Sequence, residues 1–373
     1  MLERTNMTRL RRVLLIGRSH RVMQDLVAEL RALGVEAEGE TDPDRAADRP
    51  DAGAFDVVAL GRGVTGETRK ALRKAFAWIR PDVRLIDVAI REAPGETLRA
   101  LEGRDLVDLD AYFARIGYRG PRDATTGTLR ALVLAHLDAI PFESIDAAIG
   151  RGVDISPEGV DAKLIGAHRG GYCYEQNGLF KRVLRALGFE VDGLLARVRL
   201  NARPGDQPMA RSHMTLKVTI EGEEWLADVG FGGATPTAPL RFDDEAPQPT
   251  PHGRYRVTRF GPLKLLEAES DGGWAPLYEV SDEPQIDVDY EPANWLTSTH
   301  PGSFFRRELV AARAAPGARY ALYGARLTTR WPDGRSEQRM LSADEIERAL
   351  TETFGLAVQP DWRPLIEQAA ARV

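Results

Sequence analysis

The stretch Arg169-Gly170-Gly171-Tyr172-Cys173-Tyr174-Glu175-Gln176-Asn177 holds the only cysteine among 373 residues. Two glycines precede that cysteine and a helical pattern follows it. Leu179, Phe180, Val183, Leu184 and Leu187 recur at the spacing of one helix face, and Gly188 stands where a C-terminal cap would end it. This predicts Cys173 at the mouth of a helix, on a tight Gly-Gly turn. The partial positive charge of a helix N-terminus favours thiolate over thiol. A buried free cysteine packed as a small hydrophobe fits the position equally well. The choice between the two rests on what stands near it.

The chain is 43% apolar and 28% charged, the composition of a soluble globular protein, and its length predicts two or three domains. With 50 basic and 56 acidic residues the net charge is −6, which argues against a dedicated nucleic-acid surface and leaves a local basic patch open. One cysteine forms no internal disulfide, so a reducing cytoplasmic location is expected. The apolar run Val13 to Ile16 is too short for a signal segment or a membrane span. Met1 and Met7 are both open as the start.

Residues 1–104 read as a small α/β appendage, flavodoxin-like or half-Rossmann. Strands are expected at 13–17, 35–39, 55–60 and 83–88. Helices are expected at 20–33, 65–79 and 95–101, and 42–54 reads as a loop. Such alternation makes a parallel sheet with helices packed on it. The first strand leads into Gly17-Arg18-Ser19-His20 rather than a Gly-x-Gly-x-x-Gly cradle, so no dinucleotide site is expected. The strand ending Leu60-Gly61-Arg62-Gly63 lacks the acidic residue of a phosphoacceptor. His20 reads as an ordinary helix start.

From 105 the pattern changes. Short helices are expected at 109–116, 126–137 and 157–166. Pro141 ends the second, and Ser156-Pro157 caps and opens the third. A nucleophilic thiol needs a base, and the base needs an orienting group. Of the six histidines, His213 stands out because it begins the run His213 to Ile220. Glu221-Gly222 reads as a two-residue hairpin loop, and Glu223 to Gly230 as the return. In that register Thr215 faces Asp228 and His213 faces Gly230. His213 and Asp228 then share one sheet face as diagonal neighbours, roughly 7–8 Å apart between backbones. Gly230 is expected to leave the imidazole room, and a one-residue bulge would separate the pair. Singly these are ordinary strand residues; with Cys173 they complete a Cys-His-Asp set.

These motifs resemble the arylamine N-acetyltransferases over residues 105–373. Arg169 to Asn177 fits the family's cysteine motif, Asp228-Val229-Gly230-Phe231-Gly232 its aspartate motif, and Ser212-His213-Met214 its histidine motif. Ile140-Pro141-Phe142-Glu143 resembles a Pro-Phe-Glu-Asn box in which Ser144 replaces the asparagine. Asn294-Trp295 followed by Ser298 to Ser303 also matches. The N-terminal unit lies outside the resemblance.

The resemblance implies a papain-like cysteine-transferase fold: a helical bundle at 105–190, a β-barrel at 191–300 and an α/β lid at 301–373. It implies ping-pong transfer of an acetyl group from acetyl-CoA, a co-substrate rather than a bound cofactor, to an arylamine, hydrazine or hydroxylamine nitrogen. Cys173 would be the nucleophile, His213 the base, and Asp228 the group that holds the imidazole. An imidazolium beside a thiolate stabilises it by charge pairing, and the Cys173 N–H is a candidate oxyanion donor. By similarity Phe142, Val198, Phe231 and Phe305 would line the acceptor pocket, and Ser212 and Gly232 would sit near the pantetheine. Ordinary core packing is an equal reading for Val198 and Phe305. Glu143 and Arg169 would pair structurally behind the cysteine, and His168 reads as a bystander.

In the last part, Tyr320 to Trp331 reads as one strand with its return at 336–341. Ser342 to Glu345 is a capping box, and helices follow at 342–354 and 362–372.

Three other readings stand beside acetyl transfer. One is an amide synthase that releases a carrier-bound chain, with an acyl carrier protein as partner and the N-terminal unit as docking platform. The second is a regulatory protein on a retired catalytic fold. The third is a protease or transglutaminase using the same triad. No metal is required, because one cysteine and scattered histidines give no zinc spacing. A nucleic-acid or membrane partner is not expected, and a homo-oligomer is left open.

Overall fold

The computed structural model describes residues 12–372 except 62, 82, 89–92, 103–106, 203–205 and 271. The chain divides into two compact units, Met1–Leu106 and Val107–Val373.

In the first unit, strands β1 (Arg12–Ile16), β2 (Glu36–Glu40), β3 (Val57–Gly61) and β4 (Arg84–Val88) form one parallel sheet in the order β2-β1-β3-β4. Val13, Leu15, Val57 and Ala59 pack with the helices His20–Ala32 and Ala93–Glu102 on one face. Leu14, Ile16, Val58 and Leu60 pack with Leu72 and Phe76 of the helix Gly66–Ile79 on the other. Burial on both faces explains why the central strands β1 and β3 read as unbroken apolar runs. The expected loop at 42–54 contains two short 3₁₀ turns, Pro43–Asp48 and Ala52–Ala54. His20 opens its helix, as read from the sequence, and its Nε2 lies 3.1 Å from Gln24.

The second unit begins with the helices Leu109–Arg115 and Thr126–Ala139, then the short strand β5 (Phe142–Glu143). The helix predicted at 157–166 is one α-turn, Pro157–Val160, that widens into a π-turn, Asp161–Gly166. Ser156 caps it by accepting from Gly159 N at 3.1 Å. Next come the helix Cys173–Ala186 and the strands β6 (Glu190–Val198), β7 (His213–Ile220), β8 (Glu223–Ala227), β9 (Leu240–Arg241) and β10 (Gln248–Thr250). Three longer strands follow, β11 (Gly253–Phe260), β12 (Leu263–Ser270) and β13 (Gly273–Val280).

Strands β6 to β13 form one antiparallel sheet in the order β10-β11-β12-β13-β6-β7-β8-β9. It curls around Leu194, Leu226, Phe242, Tyr255, Leu266 and Tyr278. The two edge strands meet through a side chain. Gln248 Oε1 accepts from Arg241 N at 2.7 Å, and its Nε2 donates to Arg241 O at 3.0 Å. The sheet is therefore nearly closed, with an amide standing in for the last ladder rungs.

The helix Asp287–Thr299 follows, in a stretch where no helix was expected. Then β14 (Val310–Ala315), β15 (Ala318–Tyr323), β16 (Arg326–Arg330) and β17 (Ser336–Met340) form a second antiparallel sheet, order β17-β16-β15-β14-β5. The single strand expected from Tyr320 to Trp331 is thus a hairpin. Gly324 takes φ +55°, a left-handed conformation that turns the chain there. The helices Ala343–Glu352 and Arg363–Ala370 cover one face of this sheet through Leu322, Ile346, Leu350 and Trp362. Among the described residues, no helix is long and apolar enough to cross a membrane.

Candidate active site

Cys173 is the first residue of its helix and is buried. The helix start is built by the two glycines, though not as a tight turn. Neither takes a positive φ. Gly171 lies extended beside Phe142 in a parallel bridge, with Glu143 N donating to Gly171 O at 3.1 Å. A Cβ on Gly170 would stand 2.1 Å from Pro141 O, and one on Gly171 would stand 2.8 Å from Glu175 Oε2. The glycines serve close approach, not left-handed geometry. Glu175 caps the helix by accepting from Tyr172 N at 2.9 Å. Gly188, at φ +87°, follows its C-terminus, as read from the sequence.

The hairpin carries the partners of the cysteine. Glu221 and Gly222 both take positive φ, 53° and 83°, as a type I′ turn requires. Ile220 pairs with Glu223, and the ladder runs without a bulge to Leu216 opposite Ala227. Met214, Leu216, Trp225 and Ala227 face the cysteine helix. His213, Thr215 and Asp228 alternate with them and face the inside of the curled sheet. His213 Nε2 lies 2.7 Å from Asp228 Oδ2, and both side chains are buried. Gly230 has a different role from the one expected. A Cβ there would come 2.7 Å from Cys173 Cα and 2.8 Å from Asn177 Nδ2, so its lack of a side chain makes room for the cysteine backbone.

Asp228 accepts four hydrogen bonds. Oδ1 takes Asn177 Nδ2 at 3.0 Å and Gly230 N at 2.8 Å; Oδ2 takes His213 at 2.7 Å and the Tyr278 hydroxyl at 2.9 Å. Burial alone would raise its pKa, but the His213 charge and these donors lower it below the usual carboxylate value. For His213, burial pushes the pKa down. The Asp228 charge and hydrogen bond, with Cys173 hydrogen-bonded to the same ring, outweigh burial and lift it to about 10. With Nε2 committed to Asp228, Nδ1 is left for the sulfur. The thiol also reaches Ser212 O at 3.8 Å. A thiol, an imidazole that readily holds a proton, and a buried carboxylate that fixes the imidazole are the parts of a nucleophile–base–orienter set.

The remaining candidates fall in three places. Phe231 meets the His213 ring edge-on at 4.8 Å, and Val198 lies opposite Tyr278 on β6, on the same face as the triad. Phe142 and Phe305 are 5.9 Å apart, and a Cβ on Gly232 would stand 3.5 Å from the Phe142 ring. Glu143 and Arg169 pair behind the cysteine. Arg169 Nε and Nη2 donate to Glu143 Oε1 at 2.9 and 2.6 Å. Lys163 and Asp146 enlarge this pair into a network: Lys163 Nζ lies 2.8 Å from Asp146 and 2.7 Å from Glu175. Burial, with the Glu143 charge adding to it, raises Glu175 to about 7 against the opposing pull of Lys163. Ser144, in the box's asparagine position, is buried with its hydroxyl unpartnered, and Ile145 N bonds Glu143 Oε2 instead, at 2.8 Å. His168 takes φ +52° just before Arg169 and is exposed.

Sequence reasoning missed three supporting residues. Asn177 joins the cysteine helix to the aspartate, since its Oδ1 also accepts Val229 N at 3.0 Å. Tyr278 reaches Asp228 from a strand 50 residues away. Gln176 donates to Pro141 O and Gly171 O at 2.9 and 3.1 Å, and its Oε1 lies 2.6 Å from His136 Nε2. Burial, opposed by the Gln176 bond, holds His136 near 4, so it is neutral. Its Nε2 carries the proton, because the Gln176 amide hydrogens are already committed. Asn177 and Gln176 lay within the cysteine motif; Tyr278 carried no local signal.

A family model described as N-acetyltransferase matches residues 125–363. This chain belongs to the arylamine N-acetyltransferase family. The arylamine N-acetyltransferase of Mycolicibacterium smegmatis is 42% identical over 254 residues, 67% of this chain and 92% of that protein. The Escherichia coli arylamine N-acetyltransferase is 40% identical over 253 residues, 67% and 89% of the two chains. The structure of the Mycobacterium marinum enzyme in complex with CoA aligns with a TM-score of 0.68 at 40% identity, covering 71% of this chain and 99% of that one. The protein is an acetyltransferase. The matched family region begins at 125, and the parallel-sheet unit precedes it in the sequence.

Proposed function

We propose that this acetyltransferase moves an acetyl group from acetyl-CoA to an arylamine, hydrazine or hydroxylamine nitrogen through an acyl-cysteine. The observation that carries the reading is Cys173 at a helix N-terminus, sharing His213 with an Asp228 that four donors hold ionised.

In the first half-reaction the Cys173 sulfur, its proton held by His213, attacks the thioester carbonyl of acetyl-CoA. The first-turn N–H of Cys173, which has no partner one turn back in its own helix, is placed to receive the developing oxyanion. The bond from the carbonyl carbon to the CoA sulfur then breaks, and that sulfur leaves with the proton from His213. In the second half-reaction the amine nitrogen attacks the acyl-cysteine. His213 takes the proton from nitrogen, the carbon–sulfur bond breaks, and Cys173 returns as thiolate beside imidazolium. Asp228 stabilises the charged imidazole throughout without itself taking the proton.

Phe142, Val198, Phe231 and Phe305 form the acceptor side in this reading, and Ser212 and Gly232 the pantetheine side. Glu143 and Arg169 support the cysteine helix structurally. We read residues 107–373 as three cooperating parts, a helical layer, a barrel-like sheet and a lid sheet with its helices. The lone cysteine fits a reducing cytoplasm. The relatives reported above are named for transfer to arylamines, which favours this reading over release of a carrier-bound chain.

The test is intact-protein mass after mixing with acetyl-CoA and no acceptor, with Cys173→Ala beside it. A gain of one acetyl group on the wild type alone is expected. No gain on either protein removes the acetyl-cysteine mechanism.

A further inference from the structure

The aromatic row that includes Phe142 and Phe305 extends further outward. Phe305 lies 5.9 Å from Phe142 and 5.2 Å from Phe304, and Phe304 stacks on Tyr323 at 5.5 Å with the ring planes 5° apart. Sheet register puts Tyr323 on the inner face. Phe142 pairs with Ala312, Ala312 with Ala321, and Val310 with Tyr323. Side chains alternate along a strand, so Phe142, Val310 and Tyr323 share one face, while Leu322 points to the helices on the other. The inner end of the row is covered: Phe142 is 9% exposed and touches the Gly232 turn. The outer end is open: Phe304 is 43% and Tyr323 40% exposed. The Arg326 guanidinium sits 5.7 Å over the outer Tyr323 ring.

We propose that Phe304 and Tyr323 are specificity-determining residues that extend the acceptor wall, selecting amines with two or more aromatic rings. The proposal rests on the arylamine reading above. A single-ring amine with its nitrogen at Cys173 covers only Phe142 and Phe305. A fused tricyclic or biaryl amine lays its far ring against the Phe304–Tyr323 pair, where offset and edge contacts between rings are favourable. Arg326, holding one face of Tyr323, keeps that ring oriented towards the row.

The experiment measures kcat/KM for 2-aminofluorene and for 4-methylaniline with wild type, Phe304→Ala, Tyr323→Ala and Tyr323→Phe, together with KM for acetyl-CoA. The expected result is a fall of about tenfold in the 2-aminofluorene to 4-methylaniline ratio for each alanine variant, carried by KM for the larger amine. Tyr323→Phe, which keeps the ring, holds the wild-type ratio. An unchanged ratio, an equal loss on both amines, or a change confined to KM for acetyl-CoA overturns the proposal; the last assigns the rings to the donor. Acetyl-enzyme formation without turnover of either amine by the wild type overturns the arylamine reading instead. The wall is then judged by fluorescence titration of 2-aminofluorene against wild type and Tyr323→Ala. Weaker binding to the variant supports it, and equal affinity overturns it.

Discussion

The side chain of Asn177, one turn into the cysteine helix, spans to the aspartate segment of the hairpin. It donates to Asp228 Oδ1 at 3.0 Å and to Met214 O at 2.7 Å, and accepts from Val229 N at 3.0 Å. One amide thus locks the nucleophile's helix to the residues that hold the base. Asn177→Ala leaves a buried carboxylate one donor short and two backbone groups unpaired. The expected cost is about 1–3 kcal/mol of stability, with kcat/KM falling alongside. Thermal unfolding and steady-state kinetics check both, and an unaltered melting temperature would contradict the linkage.

Gly230→Ala should abolish acetyl-enzyme formation while leaving the sheet intact. The new Cβ meets Cys173 Cα at 2.7 Å, a backbone atom that cannot swing away. Intact mass after acetyl-CoA, read beside far-UV circular dichroism, separates this local displacement from unfolding. Full acetylation of the variant would show that the helix start has slack.

Charge on His213 predicts two pH limits. Its folded pKa, about 10, lies above the unfolded imidazole value, so its contribution to stability is complete below about pH 6.5. That contribution is lost as pH rises towards 10. Asp228 has the opposite sign. Its folded pKa is lowered, so its contribution is present above the unfolded value near pH 3.9 and is lost as pH falls through the folded one. Denaturant titrations across pH should show the alkaline loss in wild type and a reduced loss in His213→Gln.

Glu175 is a buried carboxyl raised to about 7. A raised acid stabilises the fold fully below its unfolded value, near pH 4.3, and that contribution is lost as pH climbs through 7. Glu175→Gln keeps one acceptor oxygen, for Tyr172 N, and cannot ionise. Its unfolding free energy should be flatter between about pH 4.3 and 7 than that of the wild type. Identical slopes would place the titration elsewhere.

Each apolar cluster among the described residues lies within one of the two units, so each unit has a core of its own. A chain of residues 107–373 should fold and accept acetyl from acetyl-CoA. Mass spectrometry and a cooperative thermal transition test this. Failure to fold would make the N-terminal unit part of the stable structure.

Legibility followed the range of the interactions. The parallel sheet of the first unit was readable because its two central strands, β1 and β3, are buried on both faces and each helix carries one apolar stripe. The hairpin was readable because Glu221-Gly222 takes the positive φ pair that sets its register, and the register alone puts His213 and Asp228 on one face. The Tyr320 to Trp331 run misled because strand-forming residues such as Tyr323 and Leu327 stand on both sides of a single Gly324, and only the observed φ there reveals the turn. Val198 could not be placed by pattern, since its side of the sheet depends on pairing with Tyr278 far along the chain.

By itself, then, the sequence determined the cysteine at a helix mouth, the histidine–aspartate hairpin and the alternating α/β unit, all products of local periodicity and turn chemistry. Only the tertiary structure decided that Tyr278 and Asn177 complete the aspartate's acceptors. It also decided that Gly230 makes room for Cys173, that Gln248 joins the sheet edges, and that Phe304 stacks on Tyr323. Those contacts join residues of different elements, and no spacing rule within one element encodes which side chain of another will fill a lone pair or cover a ring.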